Sequence, residues 1–185
     1  MNVYDFDETI YSNDSTIDFI KFCLRNYKKT FLALPGGALG LGLFTLRVIS
    51  KKSYKQRVFR FLKHVPDIDS AIEAFWDKNE KKIHSWYLDQ KKSNDVIISA
   101  SPEFLLAPIC QKLDVKLIAS RVDKHTGVFT GENCYGAEKV KRFELEFDIS
   151  EIDDFYSDSL TDKPLADLAK KAYFIRDGKI TDWKF

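Results

Sequence analysis

Three carboxylates fall within four positions near the start of the chain, in Asn2-Val3-Tyr4-Asp5-Phe6-Asp7-Glu8-Thr9-Ile10. Acids this close repel one another unless a cation holds them. Farther along come the hydroxyls of Ser99 and Ser101, the lysine Lys139, and a second acidic group, Asp158-Ser159-Leu160-Thr161-Asp162. This set suits phosphoryl transfer from a monoester, whose phosphate carries about two negative charges near neutral pH. An aspartate is ionised at pH 7 and needs no base to become a nucleophile. It needs positive charge to approach the phosphate, and Mg²⁺ prefers a few carboxylate oxygens together with phosphate and water.

Asp7 lies two residues after Asp5. In extended backbone their side chains point the same way, roughly 7 Å apart, a spacing that places them on opposite sides of a phosphoryl group. Asp5 would attack phosphorus, and Asp7 would protonate the leaving oxygen and later deprotonate water. Ser99 would donate a hydrogen bond to the phosphoryl group and Lys139 would neutralise its charge. Asp5 and Asp158 would share the cation.

These residues need elements that bring them together. Residues 2–5 read as a short strand, and 15–90 as mostly helical. The apolar run 96–99 reads as a buried strand ending at Ser99. Then follow a helix over 102–113, a strand over 116–119, a hairpin over 122–134, and a helix over 136–146 that begins near Lys139. A strand over 153–156, a helix over 164–171, a strand over 172–175 and a hairpin turning at Asp177-Gly178 complete the chain. Strands alternating with helices predict an α/β fold with a Rossmann-like parallel sheet. Functional groups of such sheets collect beyond the carboxyl ends of the strands, which is where Asp5, Ser99 and Asp158 fall.

The chain has 185 residues and 44% hydrophobic content, enough for one buried core and too much for a disordered segment. Its net charge of +1 points to no partner class. Cys23, Cys110 and Cys134 follow no disulfide or metal spacing, and no leader precedes the opening motif. A cytoplasmic location is therefore expected.

Asp5-Phe6-Asp7-Glu8-Thr9 resembles the DxDxT motif of the haloacid dehalogenase superfamily. Ser99, Lys139 and Asp158 to Asp162 resemble its second, third and fourth motifs, in order. The resemblance implies a phosphatase with Asp5 as nucleophile and Asp7 as acid/base. It implies phosphate binding by Ser99, Ala100 and Lys139, and Mg²⁺ held by Asp5, the Asp7 carbonyl and Asp158. Thr9 would steady the nucleophile loop, and Asp162 would orient Lys139 or a metal-bound water. It also implies a core made of 1–12 and 86–185, with a helical cap, 13–85, inserted after the first strand. Each motif alone has an ordinary reading as a turn, a helix cap or a solvated lysine. A cation-binding module without catalysis is a further alternative, but it would need neither Asp7 nor Lys139.

Within the expected cap, residues 31–46 carry no charge. As a helix they would span roughly 24 Å, short of a ~30 Å hydrocarbon core, and Pro35 and the glycines are expected to break or bend it. No Asp or Glu occurs from Phe19 to Pro66, and lysines and arginines flank the run on both sides. That pattern favours a peripheral segment on the cytoplasmic face of an anionic membrane. The plain alternative is the buried spine of the cap, or a dimer interface. Nucleic acid fits poorly, since aromatics are not interleaved with the bases.

The stretch Ser99-Ala100-Ser101-Pro102-Glu103-Phe104 and the cap position resemble the phosphoserine phosphatase-like branch of the superfamily. That branch includes bacterial phosphatidylglycerophosphate phosphatases, whose caps carry apolar membrane-associating segments. A lipid headgroup phosphate is thus the expected substrate, with a small soluble metabolite such as phosphoserine as the alternative. Asp14, Arg57 and Ser101 are the candidate substrate contacts.

Overall fold

The computed structural model describes residues 1–184. Among them, six strands form one sheet: β1 (Val3–Tyr4), β2 (Val96–Pro102), β3 (Lys116–Ser120), β4 (Asp154–Ser157), β5 (Lys171–Arg176) and β6 (Lys179–Asp182). Their lateral order is β3-β2-β1-β4-β5-β6, parallel throughout except for the terminal β5–β6 hairpin. The two-residue turn of that hairpin holds Asp177 at φ 51° and Gly178 at φ 72°, as a right-handed twist requires.

Alternation along the strands sorts the core into two faces. Val3, Val96, Ile98 and Phe155 pack on one face with Phe143 and Leu165. Tyr4, Ile97 and Tyr156 pack on the other. There the register-matched Tyr4, Tyr156 and Tyr173 stack across adjacent strands, with centroids 4.7 and 4.8 Å apart. From β1 the chain winds outward through β2 and β3, then returns to place β4 on the other side of β1. The reversal leaves a crevice above the carboxyl ends of β1 and β4.

The segment between β1 and β2 is helical: α1 (Ser15–Asn26), α2 (Leu34–Thr45), α3 (Lys51–Val58), α4 (Ile68–Asn79) and α5 (Ser85–Gln90), joined by 3-10 turns except between α2 and α3. Side chains cap three of them, with Asp14 accepting from Ile17 N, Ser50 from Ser53 N and Asp67 from Ser70 N. Beyond β2 lie α6 (Glu103–Lys112), α7 (Ala137–Glu144) and α8 (Lys163–Ala166).

Four local expectations change. Pro35 opens α2 instead of breaking it, at a position where its missing N–H costs nothing, and the four glycines lie within one helix. The strand containing Ser99 continues to Pro102 through an irregularity at 99–102, where Ser101 N donates to Ser99 Oγ at 3.0 Å. The helix expected over 164–171 ends at Ala166, because Lys170 N and Lys171 N are drawn into bonds to Ile152 and Asp153 carbonyls beside β4. The hairpin over 122–134 shrinks to one bridge, Val122 to Phe129.

Candidate active site

Asp5 sits one residue past β1, with its N–H bonded to the Tyr156 carbonyl at 2.9 Å. The chain then turns through Glu8, whose φ of 55° is uncommon for a residue with a side chain. That turn brings Asp7 beside the start of α1 and the end of β2. Asp7 Oδ1 accepts from Ser15 N at 2.7 Å, and Asp7 Oδ2 accepts from Ser101 Oγ. Ser101 also bonds Thr16 Oγ1 at 2.9 Å. Lys139, buried on α7, donates to Asp5 Oδ1 at 2.7 Å and to Asp162 Oδ2 at 2.6 Å. Ser157 Oγ also donates to Asp162 Oδ2, at 2.8 Å. Thr9 ties the first loop to the fourth, since its hydroxyl accepts from Asp158 N at 3.0 Å and donates to Asp158 Oδ1 at 3.3 Å.

Asp5, Asp7, Ser99, Ala100, Lys139, Asp158 and Asp162 all line one cleft of about 450 Å³. Residues more than 130 positions apart meet there: Lys139 and Asp5 are separated by 134 positions, Thr9 and Asp158 by 149.

The acids are crowded and largely desolvated. Burial pushes Asp5 up to about 6 against the pull of Lys139, with Asp162 adding to the rise. Burial, then the charge of Asp14, brings Asp7 to about 7, while Ser101 and Ser15 hold it down. Asp158 also reaches about 7, through burial and then the charges of Asp5 and Glu8. Burial opposes the charge on Lys139, but Asp5 and Asp162 outweigh it and keep the ammonium above the usual lysine range. Among the described residues, no Lys, Arg or His lies within salt-bridge distance of Asp158.

This excess of negative charge calls for a cation. Among the described residues, no cluster of three or more His, Cys, Asp or Glu side chains forms a ready-made metal cage. An ion here would be held by the Asp5 and Asp158 carboxylates together with backbone carbonyl and water oxygens. That donor set is all oxygen and mostly not side chain, which fits Mg²⁺.

The candidate substrate contacts divide. Asp14 lines the cleft while capping α1. Ser101 lines it too, but its hydroxyl is engaged with Asp7. Arg57 does not line it. Its side chain packs on α2, where a Cβ added to Gly40 would lie 2.9 Å from Arg57 Cδ. Two residues along a helix point roughly 200° apart, so the cleft receives Lys55 instead, with Lys51 one turn earlier. Reading the sequence for single motif residues missed this lysine pair. Its signal was the four-residue spacing, which places both on one helix face.

A family model described as haloacid dehalogenase-like hydrolase matches residues 3–167. The chain belongs to that family, and it is a hydrolase. A comparison with curated proteins finds no match. Among solved structures, a protein with unknown function from Bordetella pertussis Tohama I is similar at a TM-score of 0.67 and 18% identity, covering 93% of this chain and 87% of that one. A phosphoserine phosphohydrolase-like protein from Francisella tularensis subsp. tularensis is similar at 0.55 and 15%, covering 93% and 86%. A substrate-bound phosphoserine phosphatase complex is similar at 0.53 and 14%, covering 92% and 82%. At such identities the likeness is one of fold.

Proposed function

We propose that this chain is a Mg²⁺-dependent phosphomonoester hydrolase acting on a lipid headgroup phosphate at the cytoplasmic face of an anionic membrane. The observation that carries the hydrolase reading is the meeting of Asp5, Asp7, Lys139 and Asp158 in one cleft. Lys139 engages Asp5 Oδ1, leaving Oδ2 to attack phosphorus. The P–O ester bond breaks as the new P–O bond to Asp5 forms, and Asp7 gives its proton to the departing alkoxide. Water then attacks the aspartyl phosphate, Asp7 takes the water's proton, and Asp5 returns as a carboxylate. Asp7, desolvated and held by Ser15 N and Ser101 Oγ beside Asp5, is placed for both proton transfers. Ser99, the Ala100 backbone and Lys139 hold the phosphoryl oxygens. Asp5, Asp158 and the Asp7 carbonyl would hold Mg²⁺, which would supply charge neutralisation.

The lipid reading is supported by α2. Gly40 is its sole buried residue, while Leu39 and Leu41 are exposed, and so are Phe31, Leu32, Leu46 and Val48 on its flanks. Leu32 and Leu46 are 71% and 75% exposed, an unusual outlay of apolar surface beside many bases. No described helix is long and apolar enough to cross a membrane, which suits a segment that rests in the interface. The helix packs on α3, and α3 lines the cleft. The soluble alternative, a phosphatase of a small metabolite such as phosphoserine, draws support from Asp14 in the cleft and loses it from the position of Arg57. A cation-binding module would leave the bonds of Ser101 and Ser15 to Asp7 without a purpose.

Phosphate release with Mg²⁺ from phosphatidylglycerophosphate and phosphatidate in vesicles, and from phosphoserine in solution, tests the proposal. The expected result is preferential hydrolysis of a vesicle-borne headgroup, with the doubly substituted Leu39→Glu, Leu41→Glu protein losing vesicle activity more than soluble activity. Faster hydrolysis of phosphoserine, indifferent to these substitutions, would favour the alternative.

A further inference from the structure

Two lysines in the cleft are not used by the chemistry above. Lys55 Nζ, on α3, donates to the Ala100 carbonyl at 2.9 Å and to Asn133 Oδ1 at 3.3 Å. Lys51 Nζ, one turn earlier, sits 3.5 Å from the centroid of the Tyr135 ring. An ammonium has three donors, so Lys55 keeps one for a ligand, and a lysine held over a ring face keeps its outward donors. Among the described residues, neither lysine has a carboxylate within salt-bridge distance, although both line the cleft. Burial and the nearness of Lys51 press Lys55 down to about 8.

The acids nearby are accounted for. Asp5, Asp7 and Asp158 belong to the reacting centre, and Asp14 spends Oδ1 on the cap of α1. Two neighbouring ammonium groups that line a partly buried cleft, with no carboxylate in ion-pair contact, keep donors that an anionic ligand can take. The transferred phosphoryl group already has Ser99, Ala100 and Lys139. The remaining part of the substrate is the leaving alcohol.

We infer that Lys51 and Lys55 form a second anion-binding subsite, so that the enzyme selects phosphomonoesters whose alcohol carries a further negative charge, a phosphodiester or a carboxylate. The inference rests on the hydrolase reading of the cleft and narrows its substrate class. It recruits lysines that also fasten α3 to the core, so occupancy of the subsite and closure of the cleft would be linked. Lys52 adds an ion pair to Glu132 at 2.7 Å along the same seam.

The test compares kcat/KM for three soluble monoesters: glycerol 3-phosphate, phosphoserine, and the monophosphate of glycerophosphoglycerol, which carries an internal phosphodiester. The wild type is expected to prefer at least one of the two acidic alcohols over glycerol 3-phosphate. Which one it prefers identifies the group as carboxylate or phosphodiester. Lys51→Gln is expected to cut that preference ~10–100-fold, the range for removing one charge-assisted contact, and Lys51→Arg to restore most of it. An equal loss on all three esters, or no preference in the wild type, overturns the subsite. Calorimetric titration of the full chain with glycerophosphoglycerol and with serine, neither of which bears a monoester, separates the two claims. If no ester is hydrolysed, the hydrolase reading fails on its own. Binding of either probe, weakened by Lys51→Gln, would still uphold the subsite, and binding of neither would overturn it.

Discussion

Lys55 carries the most informative titration in the molecule. The groups facing it are Lys51 on its own helix, Asp5 and Asp7 from the loop after β1, Asp14 at the start of α1, and the uncharged Ala100 carbonyl and Asn133. Its folded pKa, about 8, lies below the ordinary lysine value of 10.5. Below about 8 the folded state bears the full penalty of the charge. Between about 8 and 10.5 the unfolded chain holds a proton that the folded chain has released, so this group makes stability rise with pH there. Binding moves the other way. As pH rises through about 8 the subsite loses one of its two charges, and the preference for an acidic alcohol over glycerol 3-phosphate should decline. A pH profile of that kcat/KM ratio checks this, with Lys55→Gln expected to flatten the profile. Asp5, Ser99 and Asp158 were legible as strand ends, and Lys139 as lying near a helix start, from the alternation of strands and helices; Asp7 came from its spacing to Asp5, and Asp162 only from the motif resemblance. Lys51 and Lys55 were hidden among many surface bases, and nothing in their types distinguishes them from Arg57. The helix phase does, and it is fixed only once α2 packs on α3 through Gly40.

The elements that matter most are α3 and the loop between β3 and α7. Phe59, just past α3, stacks on Phe129 with centroids 6.0 Å apart, and Gln56 accepts from Phe129 N. Gly127 makes this docking possible. It sits at φ 74°, and a Cβ there would lie 2.5 Å from the Phe59 carbonyl oxygen. Gly127→Ala should therefore cost ~1–3 kcal/mol from backbone strain and contact, lowering Tm by several degrees for a chain of this size. Thermal unfolding followed by circular dichroism checks it, and the same variant should loosen Lys55 from Asn133. The sequence marked this loop as a hairpin from its glycines, and the chain does fold back at Val122 and Phe129. The ladder goes no further because Asp123 takes up the N–H groups of His125 and Thr126 and the hydroxyl of Thr126, closing a side-chain turn. Helix 164–171 was over-extended for a similar reason. Lysines favour helix locally, yet the carbonyls of Ile152 and Asp153, just before β4, offer Lys170 and Lys171 backbone partners, and tertiary pairing overrides propensity.

At the scale of the whole molecule, the fold is a device for convergence. A strand order that reverses beside β1 puts four loops, far apart in sequence, around one crevice, and the helical insertion after β1 sets α3 over it. The sheet was legible from alternating strands and helices. The placement of the insertion over the cleft was expected only from the family resemblance, because it depends on contacts such as Lys55 with Ala100 that no local pattern encodes. Leu39 and Leu41 of α2 stay exposed on the outside of this assembly, while α2 packs on α3, which lines the cleft. The central claim is covalent: the phosphoryl group passes through Asp5. Incubation with a radiolabelled phosphomonoester and Mg²⁺, an acid quench and mapping of the labelled peptide test it most directly. The account predicts label on the peptide containing Asp5, acid-stable and hydroxylamine-sensitive, and none in Asp5→Asn. Full turnover by an Asp5→Asn protein, or label on any other residue, would contradict it.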